Sequence, residues 1–232
     1  MRNPLENDAQ IFATPQADSL SPYAVRRLLL IDLDGTIRQC KSDPTGFINS
    51  PQDQELILGV SDRLSEYQDN GWIIVGVSNQ GGVAAGFKSL VDCFKEMQHT
   101  LRLAPQLSEI YFCPDAGESC WRIRPFRIGR LFTIHRRTEY LRSLFPWMQS
   151  GFRKPECGML SLAIDHFAGI YYQPGAFRCP YWNCSTQAFE MVWMVGDRPE
   201  DQQAALSLGV PFLDAATWRI TSLNEINLGV EC

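Results

Sequence analysis

Short apolar runs alternate with amphipathic segments along most of this chain of 232 residues. Apolar runs bounded by turn residues predict strands buried on both faces, and apolar positions at helical spacing predict helices packed on one side. The predicted strands cover residues 28–32, 72–77, 109–113, 191–197 and 210–214. The predicted helices cover residues 54–71, 88–104, 155–169 and 199–209. Alternation of this kind is typical of an α/β domain with a doubly wound parallel sheet.

Four segments do not follow this pattern. Residues 1–24 are polar and rich in proline, so we expect a flexible lead before one domain at residues 25–232. Residues 38–53 indicate a loop or short flap beside the first strand. Residues 114–152 and 170–190 are irregular and are expected to be insertions in the domain.

Composition narrows the location and the partners of the protein. The formal net charge of −5 argues against broad, unspecific binding of nucleic acid. No apolar run reaches the length of a membrane span, and no secretion signal opens the chain, so we expect a cytoplasmic protein that does not bind membranes. Its eight cysteines are therefore expected to be reduced thiols.

Polar side chains follow three of the predicted strands, and a lysine precedes a predicted helix. Because the carboxyl ends of parallel strands meet at one edge of a sheet, these side chains are expected to converge there. The candidate residues are Asp32, Asp34, Ser78, Asn79, Gln80, Lys154, Asp197 and Asp201. Each has an ordinary reading as a turn, cap or surface residue, but their joint occurrence favours a site for phosphoryl chemistry.

These motifs resemble those of the haloacid dehalogenase (HAD) superfamily of phosphohydrolases. The motifs are D-L-D-G-T at 32–36, S-N-Q at 78–80, K-P at 154–155 and G-D-R-P-E-D at 196–201. The longer strings at 78–86, 109–114, 153–160 and 195–205 resemble the histidinol phosphatase and D-glycero-D-manno-heptose 1,7-bisphosphate phosphatase branch of that superfamily. The resemblance implies a Rossmann-like fold with a minimal cap and loop insertions.

The chemistry of phosphoryl transfer suggests a role for each side chain. Asp32 is the expected nucleophile, which forms an aspartyl-phosphate, and Asp34 the expected general acid and later general base. Ser78 would donate to a phosphoryl oxygen, and Lys154 would neutralise the charge of the intermediate.

Metal and substrate ligands are expected around the same strand ends. Mg²⁺ prefers oxygen ligands, and Asp32, the backbone carbonyl of Asp34, and Asp197 offer them, while Asp201 would orient Lys154 or the metal waters. Substrate contacts are assigned to Asn79, Gln80 and Arg153. For Arg153, the resemblance implies contact with the distal part of a phosphorylated sugar.

The chain departs from the heptose-phosphatase branch at two places. Members of that branch commonly carry a zinc loop with Cys-x-His and Cys-x-Cys, but here these positions are Cys113-Pro114-Asp115 and Ser150-Gly151-Phe152. Even with Cys120, Cys179 and Cys184 as substitutes, the spacing matches no zinc pattern, so zinc is not expected. Ala85 also stands where the sugar-phosphate members place an arginine before the last glycine of the turn.

Residues 121–137 contain six arginines and no acidic residue. They are Arg122, Arg124, Arg127, Arg130, Arg136 and Arg137. They would suit a second phosphate or a nucleic-acid end, although a solvated basic loop paired with surface acids is the plainer interpretation.

Three functions therefore remain open. The first is hydrolysis of a small phosphorylated metabolite, with a sugar phosphate as the leading candidate. The second is a polynucleotide 3′-phosphatase, since such enzymes share the motifs of this branch. The third is a non-catalytic protein that uses the HAD fold for binding.

Overall fold

A computed structural model describes residues 26–124, 132–134, 151–168 and 186–229 of the chain. The predicted flexible lead at 1–24 lies outside the described residues. So do Arg127, Arg130, Arg136 and Arg137 of the arginine-rich segment, and most of the insertion at 170–190 with Cys179 and Cys184.

The described chain contains nine strands and six α-helices. The strands are β1 (Arg27–Ile31), β2 (Arg38–Cys40), β3 (Gln54–Leu56), β4 (Trp72–Asn79), β5 (Leu107–Cys113), β6 (Cys120–Ile123), β7 (Phe132–Ile134), β8 (Met191–Gly196) and β9 (Phe212–Asp214). The helices are α1 (Val60–Asp69), α2 (Leu90–Leu103), α3 (Gly158–Phe167), α4 (Pro199–Leu206), α5 (Ala215–Ile220) and α6 (Leu223–Gly229).

Seven of the strands form the central sheet in the order β7-β6-β5-β4-β1-β8-β9. Five neighbouring strands of this sheet are parallel, namely β5, β4, β1, β8 and β9, and β1 lies at their centre. The predicted α/β fold with a doubly wound sheet is therefore confirmed. The expectation of irregular structure throughout 114–152 was wrong, because β6 and β7 extend the sheet there as antiparallel strands.

Alternate residues of β1 face two different hydrophobic layers, as expected for a strand buried on both faces. Leu29 and Ile31 pack in the layer that contains residues of α1, α2, α5 and α6. Leu28 and Leu30 pack in the layer formed with α3 and α4. The polar edge that follows Ile31 is thus supported by packing from both sides of the sheet.

Three element boundaries differ from the sequence predictions. Residues 54–56, predicted as helix, form β3, whose backbone pairs with β2 while the side chain of Gln54 is buried. The hairpin of β2 and β3 is the short flap expected beside β1. The helix predicted at 155–169 begins only at Gly158, and α5 and α6 extend the chain beyond the last predicted strand. Within the described residues, no helix has the length and apolar character needed to cross a membrane.

Candidate active site

Asp32 directly follows β1 and is 6% exposed. Its Oδ1 accepts a hydrogen bond of 2.5 Å from Lys154 Nζ, and its Oδ2 accepts one of 3.2 Å from the hydroxyl of Thr36. Burial raises the pKa of Asp32 to about 7, although Lys154 opposes this rise. The carboxylate is therefore held at the carboxyl edge of the sheet by donors from two directions.

Lys154 is buried between two carboxylates. Its Nζ lies 2.5 Å from Asp32 Oδ1 and 2.6 Å from Asp201 Oδ1, and it donates to the carbonyl of Val77 at 2.8 Å. Burial alone would lower the pKa of Lys154, but Asp32 and Asp201 raise it above its ordinary value. The ammonium group therefore stays charged inside the protein.

The amide of Asn79 holds the backbone of Lys154. Lys154 N donates to Asn79 Oδ1 at 2.9 Å, and Asn79 Nδ2 donates to the carbonyl of Lys154 at 2.8 Å. Both ends of the amide are thereby occupied, and the substrate contact predicted for Asn79 stays a prediction. Its described contacts position the lysine.

A carboxylate cluster that can hold a metal ion forms beside this pair. Ligand oxygens of Asp32, Asp197 and Asp201 all lie within 4.8 Å of one another. Burial and the neighbouring Asp201 raise the pKa of Asp197. Gly35 lies against this cluster with a φ of 84°, where a Cβ atom would collide with the Asp197 carboxylate, so the turn requires glycine.

The cluster has the donor set of a hard divalent cation. Three carboxylates face one ammonium group, which leaves an excess of negative charge that a cation would balance. The carboxylates are those of Asp32, Asp197 and Asp201. Asp201 therefore joins the predicted ligands, whereas the Asp34 side chain lies apart from the cluster and contacts other groups.

Asp34 accepts hydrogen bonds from three side chains. Arg38 donates through Nε at 3.0 Å and through Nη2 at 3.2 Å, one bond to each carboxylate oxygen. Gln80 Nε2 donates at 2.7 Å and the hydroxyl of Ser78 at 3.3 Å. Ser78 and Gln80 are buried and face Asp34, and the predicted substrate contact of Gln80 stays a prediction.

Arg153 lies against the glycine-rich turn that follows β4. A Cβ atom on Gly81 would be 2.7 Å from Arg153 Nη1, so the absence of a side chain at Gly81 lets the guanidinium group lie against the turn in this position. Nη1 is buried and has no hydrogen-bond partner among the described residues. This nitrogen is a free donor next to Lys154.

The first two arginines of the arginine-rich segment face the opposite edge of the sheet. The carboxyl end of β5 lies beside Asn79, but β6 runs antiparallel to β5, so Arg124 lies near the amino end of β5. There Arg124 Nε donates to the buried Glu109 at 3.0 Å, and Arg122 Nη1 lies 3.8 Å from the same carboxylate. For these two residues, the nucleic-acid interpretation is not supported.

The segment at the zinc-loop position is closed by an aspartate. Asp115 Oδ1 accepts hydrogen bonds from the amides of Gly117, Glu118 and Ser119 at 2.8–3.1 Å, and its Oδ2 accepts from the Ser119 hydroxyl. Burial opposes the charge, yet the hydrogen bonds from Ser119 and Gly117 hold the pKa of Asp115 below its ordinary value. The loop therefore has its own internal support.

The same residues do not fit a zinc ion. Among the described residues at the zinc-loop positions, Cys113 supplies the only thiol, and that thiol donates to Asp115. The carboxylate of Asp115 is already occupied by backbone donors. We therefore assign no chemical step to zinc.

Asp115→Ala is expected to lower the free energy of unfolding by about 1–3 kcal/mol, since several amides would lose a partly buried acceptor. Chemical denaturation measures this difference. Asp43→Ala provides a matched control, because Asp43 also closes a turn but accepts only from Thr45 in an exposed loop. A loss for Asp115→Ala no larger than that of the control would contradict this role.

Four residues of the site were missed by the sequence analysis. They are Thr36, Arg38, Lys88 and Glu96. One signal was available: Glu96 and Thr100 are polar residues on the buried face of α2, beside Cys93 and Met97. Polar groups on an apolar face require partners, but the sequence does not identify them.

A mostly parallel sheet whose strand ends carry these motifs defines the phosphatases of the HAD type, and this chain is one of them. The match to a family model is more specific. The chain belongs to the polynucleotide kinase 3 phosphatase family, whose model matches residues 27–174.

Curated relatives resemble the chain over most of its length. The D-glycero-beta-D-manno-heptose-1,7-bisphosphate 7-phosphatase of Pseudomonas putida is 26% identical over 191 residues, which cover 79% of this chain and 78% of that protein. The enzyme of the same name from Haemophilus ducreyi is 25% identical, and the match covers 80% of this chain and 80% of that protein. These matches confirm the resemblance to the heptose-phosphatase branch.

A solved structure supports the same fold. The chain superposes on a crystal structure described as a HAD-like phosphatase from Mesorhizobium loti, with a TM-score of 0.50 and 20% sequence identity. The match covers 80% of this chain and 70% of that one.

Proposed function

We propose that this protein is a Mg²⁺-dependent phosphomonoesterase that acts on a small phosphorylated metabolite, with a sugar phosphate as the first candidate. The observation that carries the proposal is the convergence of Asp32, Lys154 and the carboxylates of Asp197 and Asp201 at one sheet edge. A nucleophile, a buried cation and a cluster of metal ligands are the groups that phosphoryl transfer requires.

The proposed reaction begins with attack of the Asp32 carboxylate on the phosphorus atom. The bond to the leaving oxygen breaks, and Asp34 donates a proton to that oxygen. Asp34 then accepts a proton from the water that hydrolyses the aspartyl-phosphate, which regenerates Asp32 and releases inorganic phosphate. Lys154 balances negative charge on the phosphoryl group, and Ser78 can turn its hydroxyl from Asp34 toward a phosphoryl oxygen.

Asp32, Asp197 and Asp201 would hold the magnesium ion, together with the backbone carbonyl of Asp34. When bound, the ion would supply charge neutralisation for the transferred phosphoryl group. Burial and the neighbouring Asp201 raise the pKa values of Asp32 and Asp197, and a bound cation would offset both effects, which supports this assignment.

Two observations support a small substrate with more than one anionic group. Arg153 presents a buried nitrogen without a partner among the described residues, beside Lys154 and the turn at Gly81. The heptose-bisphosphate phosphatases that match this chain act, by name, on a bisphosphorylated sugar. A second phosphate on the substrate would suit Arg153 as a partner.

A panel of substrates tests this proposal. We expect phosphate release from one or more sugar phosphates with Mg²⁺, and a loss of at least about 100-fold with EDTA, because charge neutralisation contributes several kcal/mol to the barrier. The panel also contains histidinol phosphate, nucleotides and 3′-phosphorylated oligonucleotides. No release from any of them by the folded protein with Mg²⁺ would contradict the proposal and favour a non-catalytic role.

The second candidate is hydrolysis of 3′-phosphate ends of nucleic acid, which the family match favours. Against it stand the net charge of −5 and the pairing of Arg122 and Arg124 with Glu109. A 3′-phosphorylated oligonucleotide as the best substrate, with turnover that falls steeply as salt rises, would establish this alternative.

A further inference from the structure

Arg38 is fully buried, although it lies only four residues after Asp34. Its guanidinium group makes five hydrogen bonds, as many as it has N–H groups. Two go to Asp34 and one of 2.6 Å goes to Glu96 Oε1. The other two go to Gln54 at 3.0 Å and to Thr100 at 2.5 Å. The guanidinium plane therefore has a single orientation.

The same contacts continue into a closed ring that returns to Asp34. Glu96 Oε2 lies 2.5 Å from Lys88 Nζ, which donates to Gln80 Oε1 at 3.3 Å. Gln80 Nε2 donates in turn to Asp34 Oδ2 at 2.7 Å. The ring contains two acidic and two basic side chains. It joins the flap, α2 and the glycine-rich turn to one carboxylate.

The ring fixes the orientation of the Asp34 carboxylate. A buried ion pair adds little net stability compared with apolar packing, so its contribution to stability does not explain a buried arginine here. A two-bond fork between guanidinium and carboxylate, by contrast, sets the plane of the carboxylate. Asp34 is half-buried and lies two residues after Asp32, so the fork holds a partly exposed carboxylate beside the proposed nucleophile.

We propose that Arg38 is a positioning residue that orients Asp34 for proton transfer to the leaving oxygen, with Glu96 and Lys88 holding Arg38 in place. This inference rests on the proposed function, in which Asp34 is the general acid. Arg38 itself touches neither the substrate nor the reacting atoms.

The test compares two leaving groups in Arg38→Lys, which keeps the charge but cannot form the fork. The substrates are 4-nitrophenyl phosphate, whose leaving anion is stable without a proton, and the best alkyl phosphate of the panel, whose leaving oxygen needs one. We expect kcat/KM, which reports the step that releases the leaving group and not the later hydrolysis of the aspartyl-phosphate, to fall by about 100-fold on the alkyl phosphate and by less than about 5-fold on 4-nitrophenyl phosphate.

Arg124→Lys is the matched control, since it removes the same kind of contact with a buried carboxylate, Glu109, at the other edge of the sheet. It is expected to leave the ratio of the two kcat/KM values unchanged. Because both substrates are measured on one sample, partial unfolding of either variant cancels in that ratio.

The outcomes separate this inference from the function on which it rests. Equal losses on the two substrates, while wild type turns over both with Mg²⁺, would overturn the role of Arg38 alone. No turnover by wild type would overturn both. A selective loss on the alkyl phosphate in Arg38→Lys, but not in Arg124→Lys, would establish the role.

Discussion

Asp32→Asn is expected to lower the rate of phosphate release by about 10⁴-fold or more, because the variant lacks the nucleophile that forms the covalent intermediate. The amide oxygen of asparagine can still accept the hydrogen bond that Lys154 donates to Oδ1, and the amide NH2 group can donate to the Thr36 hydroxyl in place of Oδ2. The fold is therefore expected to persist. Initial rates with the best substrate of the panel at saturating Mg²⁺ measure the loss.

Trapping of the intermediate provides the second readout for Asp32. Acid quenching of wild type during turnover should yield a phosphorylated protein by mass spectrometry, and Asp32→Asn should yield none. Asp92→Asn serves as a control, because Asp92 is an exposed residue at the start of α2 that pairs with Lys95. Residual activity of Asp32→Asn above about 1% of wild type would argue against its assignment as nucleophile.

Lys154→Met is expected to lower the free energy of unfolding by about 3–5 kcal/mol and to abolish turnover. Without the ammonium group, two buried carboxylates lose their only cationic partner among the described residues. Removal of one partner from a buried ion pair lowers stability far more than removal of an exposed pair, because the remaining charge stays buried. Denaturant unfolding in EDTA measures the stability. Lys95→Met is the control, since Lys95 is more than half exposed and should contribute less than about 0.5 kcal/mol.

The defect of Lys154→Met should also depend on pH. Burial already raises the pKa of Asp32 to about 7 in the presence of Lys154, and removal of the lysine takes away an interaction that lowers it. A carboxyl group whose pKa is raised by folding destabilises the native state as pH rises from its unfolded-state pKa to its folded-state pKa. Below about pH 7, Asp32 is protonated in both proteins, so the difference from wild type should be nearly constant from pH 5 to pH 7, grow above pH 7, and shrink when Mg²⁺ is added. A difference that does not change with pH would contradict this account.

The parallel sheet and the convergence of Asp32, Ser78, Lys154 and Asp197 could be expected from the sequence, because parallel strands present their carboxyl ends at one edge. The motif residues therefore needed no knowledge of side-chain packing to be found. The resemblance to the HAD superfamily rests on the same strings and is confirmed by the family match.

The sequence did not predict which buried polar groups pair with one another. The sequence suggested substrate contacts for Asn79 and Gln80, yet the structure pairs them with the backbone of Lys154 and with Asp34. Arg38 was assigned to a loop, but packing of the flap against α2 buries it beside Glu96. Such pairs join residues far apart in the chain, and no local pattern specifies which donor meets which acceptor.

The sequence alone determined the strand core, the carboxylates that follow it and the class of chemistry they can perform, because hydrophobic periodicity and motif spacing are local properties. Only the tertiary structure decided which side chains face the reacting centre and which support it. It turned Arg122 and Arg124 toward Glu109 and closed the ring from Arg38 to Gln80. The physical reason is that a buried polar group must find its partner within hydrogen-bond distance, and folding sets those distances.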